Sequence, residues 1–171
     1  MPVNDAHVAL LPLDAQMISA RLGADDFRLV RAVAGEEREL HFGPEFPGDA
    51  IVLYPRLLEQ AGNGAVPGSY VVVDLDTDEV VGQLGTMGPP EGDDVEIGYG
   101  INASAWGRGI ASQAVGDLLA LLDASPGIGR VVARTAVLNP ASGRVLEKNR
   151  FLVVGREDSP EGELLVWGRP E

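Results

Sequence analysis

The feature that most constrains this fold is a strand, a turn with two glycines and a long helix, which follow one another between residues 95 and 123. Residues 95–101 alternate as a strand does, and residues 107–123 carry an apolar stripe at helical spacing. The connecting sequence includes Trp106-Gly-Arg-Gly-Ile-Ala-Ser112. Glycines at such a turn let the backbone approach an anion, and the first N–H groups of the helix favour phosphate. The segment therefore predicts an anion-binding turn.

Three anionic ligands would suit this turn. A Rossmann dinucleotide site needs a glycine where Ser112 stands, and an acidic residue about 20 residues further on that this chain lacks. A P-loop needs Gly-Lys followed by Ser or Thr, which the segment lacks. The third ligand is the pyrophosphate of coenzyme A. The two glycines alone do not decide, because a turn that only serves packing has the same pattern.

Composition excludes several classes of function. The chain has 171 residues, no cysteine and two histidines, so disulfides, cysteine-based metal sites and a thiol nucleophile are excluded, and we expect no metal. Its 13 basic and 26 acidic residues give a net charge of −13, which disfavours nucleic acid and anionic lipid as partners. No apolar run approaches the roughly 18 residues of a membrane helix, and no secretory signal is visible. We therefore expect a cytoplasmic protein of one domain.

The N-terminal third predicts three short helices. Asp14 caps the first, which runs through Arg21, and Asp25 or Asp26 begins the second. The second would carry Phe27, Val30 and Val33 on one face. Asp49 caps the third, which runs to about residue 62.

Strand-like segments dominate the rest of the chain. A hairpin is predicted with its turn at residues 76–78, and a short helix at residues 139–148 has Pro140 in its first turn. The predicted strands are residues 70–75, 79–85, 95–101, 130–138, 151–156 and 163–167.

Four segments occur in an order that resembles a known family. They are Glu96-Ile-Gly-Tyr-Gly-Ile101, Trp106-Gly-Arg-Gly-Ile-Ala111, Asn139-Pro-Ala-Ser142 and Val145-Leu-Glu-Lys-Asn-Arg-Phe151. Together they resemble the GNAT superfamily of acetyl-CoA-dependent N-acetyltransferases, in particular the branch that acetylates ribosomal-protein N-termini. The resemblance is specific over residues 95–156, looser over residues 70–171 and nearly silent over residues 1–66.

The resemblance implies an α/β fold with a mixed, mainly antiparallel sheet and helices on both faces. Two central strands, near residues 95–101 and 130–138, would run parallel and splay, and acetyl-CoA would enter the splay as co-substrate. Residues 1–171 would form a single N-acetyltransferase domain, with acceptor-side helices and loops in residues 1–66 and a cofactor-binding core in residues 70–171. A homodimer is compatible with the resemblance.

The resemblance also implies the contacts with the cofactor. The backbone at Tyr99, Gly100 and Ile101 would hydrogen-bond the pantetheine arm as an added strand does. Asn139 would bind the pantetheine or a bridging water near the thioester, and Lys148 would lie near the phosphates. Side-chain donors from Arg108 and Ser112 would add to the backbone of the segment that wraps the pyrophosphate, which is Gly107, Arg108, Gly109, Ile110, Ala111 and Ser112.

The chain departs from the family's pattern at three positions. The family's pyrophosphate signature often begins with Gln or Arg, where this chain has Trp106. Many members have a tyrosine, thought to protonate the departing thiolate, where this chain has Leu146. Arg150 stands where a glycine commonly precedes the phenylalanine. We expect Ser142 to replace the tyrosine as proton donor; the alternative is a serine that bonds back to the helix backbone.

The proposed chemistry is direct attack of an amine on acetyl-CoA in a ternary complex, since a chain without cysteine cannot form an acetyl-cysteine intermediate. Glu96 is the candidate general base and His41 the second candidate. The alternative for Glu96 is a solvated or structurally paired strand residue. A non-catalytic acyl-CoA-binding or sensing domain is the rival function, and a nucleotide-binding protein is a more distant one.

Charge suggests the kind of acceptor. Residues 1–90 contain 14 acidic and 5 basic residues, against 12 and 8 in residues 91–171. Such a division would draw a cation to the acceptor side, so we expect a peptide N-terminus or a small cationic amine. The alternative is that the charge only maintains solubility. The acids nearest the expected acceptor pocket are Glu36, Glu37, Glu39, Glu45 and Asp49.

Overall fold

The computed structural model describes residues 7–170, which divide into two compact units. The first unit contains the residues up to Gly85 and Tyr99–Ala114. The second contains Thr86–Gly98 and the residues from Val115 onward. Within residues 7–170, no helix combines the length and the apolar character needed to cross a membrane.

Three antiparallel strands form the sheet of the first unit: β1 (Val8–Asp14), β4 (Ala65–Asp74) and β5 (Glu79–Thr86). The predicted hairpin turn between β4 and β5 is confirmed, since the Asp78 N–H donates to the Asp74 carbonyl at 2.8 Å. Strand β1 was not predicted from the sequence. Strand β4 begins at Ala65, five residues before the predicted strand.

A second hairpin joins β2 (Phe27–Val33) to β3 (Glu36–Phe42), so the predicted helix beginning at Asp25 or Asp26 is wrong. Its turn contains Ala34 and Gly35, which both have positive φ (51° and 83°), as a two-residue hairpin turn requires. Val30 is 48% exposed, whereas Val33 is buried. The side chains therefore alternate with a period of two, and the apparent helical face does not exist.

Helix α1 (Ala15–Gly23) confirms the first predicted helix, and the Asp14 carboxylate accepts a hydrogen bond from the Met17 N–H at 2.9 Å. The third predicted helix is wrong in its beginning. A 3₁₀ helix (Gly48–Leu53) without a side-chain cap precedes α2 (Tyr54–Ala61). Asp49 therefore lies inside the 3₁₀ helix and does not cap α2.

Aromatic side chains fill the core of the first unit. Phe27 stacks on Phe42 with 4.6 Å between ring centroids, and Phe46 packs edge-on between Phe42 and Tyr54. The Tyr54 hydroxyl donates to Gln83 at 2.7 Å, and burial raises the pKa of Tyr54. These aromatic residues of the N-terminal segment therefore serve core packing.

The second unit contains a parallel pair of strands, β6 (Asp94–Ile101, of which residues 94–98 belong to this unit) and β7 (Arg130–Ala136). Their register covers Asp94–Arg130 to Ile97–Ala133, which confirms the predicted parallel pair. Strands β8 (Leu152–Ser159) and β9 (Gly162–Gly168) form an antiparallel hairpin, and β9 pairs with β7. Strands and helices together give a mixed α/β fold that is mainly antiparallel.

This unit also contains one whole helix and the residues of another from Val115 onward. Helix α4 (Pro140–Lys148) confirms the predicted short helix with proline in its first turn. Helix α3 (Ile110–Asp123) begins three residues later than predicted. The delay has a physical cause, because Gly107 and Gly109 have φ values of 79° and 76°, which a right-handed helix excludes.

Candidate active site

The predicted phosphate turn forms the entry to α3. Gly107 and Gly109 both have left-handed backbone conformations, with Arg108 between them. The Gln113 N–H donates to the Gly109 carbonyl at 3.1 Å, which is the first hydrogen bond of the helix. The N–H groups of Ile110 and Ala111 therefore have no acceptor within α3, as at every helix start. The two glycines thus lie at the start of the helix, as the sequence predicted, and anion binding by this turn stays a prediction.

The Arg108 side chain extends from this turn to a buried carboxylate. Its Nη2 atom donates to Asp74 Oδ2 at 2.7 Å, and the Asp74 side chain is only 2% exposed, whereas that of Arg108 is 47% exposed. Arg108 was predicted from the sequence as a cofactor contact, and Asp74 was not predicted. A usable signal was present, because Asp74 is a carboxylate that directly follows the valines of a predicted strand.

The three predicted pantetheine contacts lie at the end of β6. The Asn102 N–H donates to the Val81 carbonyl at 2.7 Å, so the peptide groups at residue 102 face β5. Backbone groups alternate in direction along a strand. Gly100 therefore also faces β5, and the peptide groups of Tyr99 and Ile101 point to the opposite edge.

Trp106 lies directly before the turn and is 69% exposed. Its indole N–H donates to the Ile101 carbonyl oxygen at 2.8 Å. Two residues earlier, the Ser104 N–H donates to Glu45 at 3.2 Å, and hydrogen bonds from Ser104 lower the pKa of Glu45. Side chains and backbone thus hold both ends of the segment that leads from β6 to the turn.

The structure brings Asn139 and Ser142 together at the start of α4. Asn139 is the N-cap residue, and its Oδ1 atom accepts a hydrogen bond from the Ser142 N–H at 3.3 Å. Lys148 is the last residue of the helix and is exposed. The capping role is thus observed for Asn139, and the catalytic and cofactor roles of these three residues stay predictions.

Two of the departures from the family, Leu146 and Arg150, lie at the C-terminal end of α4. The Phe151 N–H donates to the Leu146 carbonyl and the Arg150 N–H to the Glu147 carbonyl, each at 3.0 Å. Arg150 has a φ of 68°. This is the Schellman arrangement, which ordinarily takes glycine at that residue. Leu146 and Phe151 are both fully buried, so Leu146 serves the core.

Glu96 takes part in a charged triad in the second unit. Arg134 Nη1 donates to Glu96 at 2.8 Å, and its Nε donates to Glu157 at 2.9 Å. The hydrogen bond with Glu157, with the charges of both carboxylates, raises the pKa of Arg134. The same hydrogen bond lowers the pKa of Glu157. The geometry corresponds to the paired glutamate that the sequence analysis left as the alternative, and Arg134 was not predicted.

His41 joins β3 to β5 in the first unit. Its Nδ1 atom lies 2.6 Å from Glu79 Oε1, and its Nε2 atom lies 2.9 Å from Asp26 Oδ1. Hydrogen bonds to Glu79 and then to Asp26 raise the pKa of His41. A ring protonated on both nitrogens can donate to both carboxylates. The role of His41 as the second candidate base stays a prediction.

Comparison with known proteins agrees with this fold. The acetyltransferase (GNAT) domain model matches residues 22–152. A Bordetella pertussis protein classed as a GnaT-family acetyltransferase is 28% identical, over 60% of this chain and 65% of that chain, with a TM-score of 0.52. The chain therefore spans slightly less than two thirds of that relative. No curated protein matches the chain.

Two further solved structures cover nearly the whole chain. A GNAT-family acetyltransferase from Bacillus anthracis is 15% identical over 94% of this chain and 93% of that chain, with a TM-score of 0.65. RimL, a ribosomal L7/L12 α-N-protein acetyltransferase in complex with coenzyme A, is 20% identical over 98% and 96%, with a TM-score of 0.63. At these identities, both structures support the fold alone.

Proposed function

Since the chain belongs to the GNAT family of acetyltransferases, we propose that it is one N-acetyltransferase domain that transfers acetyl from acetyl-CoA to a primary amine. Its neighbour RimL holds coenzyme A, which supports acetyl-CoA as the co-substrate. The observation that carries the proposal is the turn at residues 107–109. Two left-handed glycines there present the start of α3, and Arg108 adds a cation beside it.

We assign the cofactor contacts as follows. The backbone of residues 107–112 and the side chains of Arg108 and Ser112 bind the pyrophosphate. The backbone of Tyr99 and Ile101 binds the pantetheine arm, and the Gly100 carbonyl oxygen between them lies beside Gly82 of β5. Asn139 contacts the pantetheine near the thioester, and Lys148 adds positive charge for the phosphates.

For this reaction, the protein must align the amine with the thioester and carry out two proton transfers. The amine nitrogen attacks the thioester carbonyl carbon, a C–N bond forms, and the C–S bond then breaks. Glu96 accepts the proton from the amine, with Arg134 holding its carboxylate in one orientation. Ser142 gives a proton to the departing thiolate and regains one from solvent, to which Glu96 releases the proton that it accepted. The products are the acetylated amine and coenzyme A with a free thiol.

We propose a positively charged acceptor. Strand β3 exposes acidic side chains, of which Glu36 and Glu39 are 71% and 64% exposed in their pairs with Arg38 and Arg28. Exposed charges of one sign raise the local concentration of an oppositely charged substrate, and salt screens them over about 10 Å at 0.1 M. kcat/KM for a dicationic amine should therefore fall between low and physiological salt. A preference for a neutral analogue would contradict this assignment.

The test of the whole proposal combines binding with turnover. Calorimetry should detect binding of acetyl-CoA, and release of free coenzyme A thiol should follow when a panel of peptide N-termini, polyamines and aminoglycosides is added. A protein that binds acetyl-CoA but acetylates none of these amines would be the sensing domain. A protein that binds ATP or NAD and not acetyl-CoA would overturn the proposal.

A further inference from the structure

Asp74 is a buried carboxylate with a specific set of partners. It ends β4, and its side chain is 2% exposed. Oδ1 accepts a hydrogen bond from the Asp76 N–H at 3.0 Å, and Oδ2 accepts the hydrogen bond from Arg108 at 2.7 Å. Both oxygens are therefore occupied, one by the β4–β5 turn and one by the turn that begins α3.

The Asp74–Arg108 ion pair restrains the glycine-flanked turn at residues 107–109. A carboxylate removed from water is strongly unfavourable unless a cation and hydrogen bonds compensate it, so breaking such a pair is costly. Arg108 lies between two glycines, the residue type with the greatest backbone freedom. Asp74 thus fixes, through the arginine side chain, a tripeptide whose backbone alone has little to keep it in one conformation.

The pair leaves Arg108 able to bind an anion. A guanidinium has five N–H donors in a planar fork. The hydrogen bond to Asp74 uses Nη2, and nearly half of the side chain is exposed to solvent. Asp74 can therefore hold one part of the guanidinium while a phosphate approaches another.

We propose that Asp74 is a positioning residue for acetyl-CoA, acting through Arg108 to keep the turn at residues 107–109 in its pyrophosphate-binding conformation. The inference rests on the proposed function. For Asp74→Asn, it predicts the opposite change in coenzyme A affinity from the change expected of charge alone. Removing a negative charge near a phosphate would tighten binding if Asp74 acted by its charge alone. If Asp74 acts by positioning, its neutralisation weakens binding.

The experiment measures the affinity of coenzyme A for the wild type, Asp74→Asn, Arg108→Gln and the double variant. A charge-assisted hydrogen bond contributes about 1.5–3 kcal/mol, which corresponds to roughly 10–100-fold in affinity. We expect Asp74→Asn to weaken binding about 10-fold and Arg108→Gln at least as much. The double variant should equal Arg108→Gln, since Asp74 acts only through that arginine.

A second readout separates positioning from general destabilisation. S-acetylpantetheine carries the thioester and lacks the pyrophosphate, so its kcat/KM should change less than twofold in Asp74→Asn. KM for acetyl-CoA should rise about 10-fold at nearly constant kcat. Asp94→Asn is the matched control, since it removes another aspartate–arginine pair, Asp94–Arg130, also at 2.7 Å. It should leave the affinity for coenzyme A unchanged.

Each outcome decides one proposition. Unchanged or tighter coenzyme A binding by Asp74→Asn overturns the inference, and so does an equal loss with acetyl-CoA and S-acetylpantetheine. If Asp74→Asn does not fold, the double variant, which has no unpaired buried charge, replaces it. Weaker binding by the double variant than by Arg108→Gln would then overturn the inference. A wild type that binds no coenzyme A instead overturns the proposed function.

Discussion

Replacing Arg150 by glycine should stabilise the protein. Residue 150 has a φ of 68° in the Schellman turn that ends α4, and its N–H donates to the Glu147 carbonyl. The side chain is exposed. The substitution therefore leaves the buried Leu146 and Phe151 side chains in place and changes chiefly the backbone preference at one position.

The size of the effect follows from two opposing contributions. A left-handed conformation costs an L-residue with a β-carbon about 1–2 kcal/mol relative to glycine. Glycine loses more conformational freedom on folding, which costs about 0.5–1 kcal/mol. The free energy of unfolding should therefore rise by roughly 0.5–1 kcal/mol. For a chain of this size, that corresponds to an increase of about 1–4 °C in Tm.

Urea denaturation followed by circular dichroism, together with thermal melting, measures this change. Arg150→Ala is the matched control, because it removes the arginine side chain and keeps the β-carbon. Arg150→Ala should show no gain in the free energy of unfolding. A gain shared equally by alanine and glycine would attribute the effect to the side chain and refute the backbone argument, as would a loss in Arg150→Gly.

Three further outcomes are expected. In Gly82→Ala, the new β-carbon would lie 2.5 Å from the Gly100 carbonyl oxygen, so the end of β6 must shift. We expect urea denaturation to show a loss of about 1–3 kcal/mol in the free energy of unfolding, and calorimetry to show weaker coenzyme A binding. His41→Gln should remove a pH dependence of Tm. Because the pKa of His41 is raised in the folded protein, its contribution to stability is complete below about pH 6.5 and is lost as pH rises through the folded pKa. Identical pH profiles of Tm for the wild type and the variant would contradict this. Glu96→Gln and Ser142→Ala should each lower kcat by about 10²-fold or more with unchanged acetyl-CoA affinity, and an unchanged kcat in either variant would remove that residue from the chemistry.

Elements that depend on residues only a few positions away were predicted from the sequence. Asp14 before an apolar run predicted the cap of α1, and Pro140 predicted the first turn of α4. Alternation predicted β6, and the two glycines predicted the turn that leads into α3. At each of these positions, the side chain or backbone property that forms the element lies within a few residues of it.

The remaining features depend on contacts that are distant in sequence. The spacing of Phe27, Val30 and Val33 fits a helix, but pairing of β2 with β3 places Val30 outside. Asp74 meets Arg108 across 34 residues, and Arg134 meets Glu96 across 38. A single sequence specifies the charge of each partner but not which one it meets. The candidate site was thus predicted in its backbone elements and missed in the side chains that support them.

The exposed indole of Trp106 allows tryptophan fluorescence to monitor the turn at residues 107–109. The chain has two tryptophans, and Trp167, which donates to Thr135, is only 3% exposed. Their emission should therefore divide into a red-shifted component that acrylamide quenches and a blue-shifted component that it does not. In Trp167→Phe, all tryptophan emission would come from the residue that adjoins Gly107. Titration of that variant with coenzyme A would then report occupancy of the turn directly, without a coupled assay or a label.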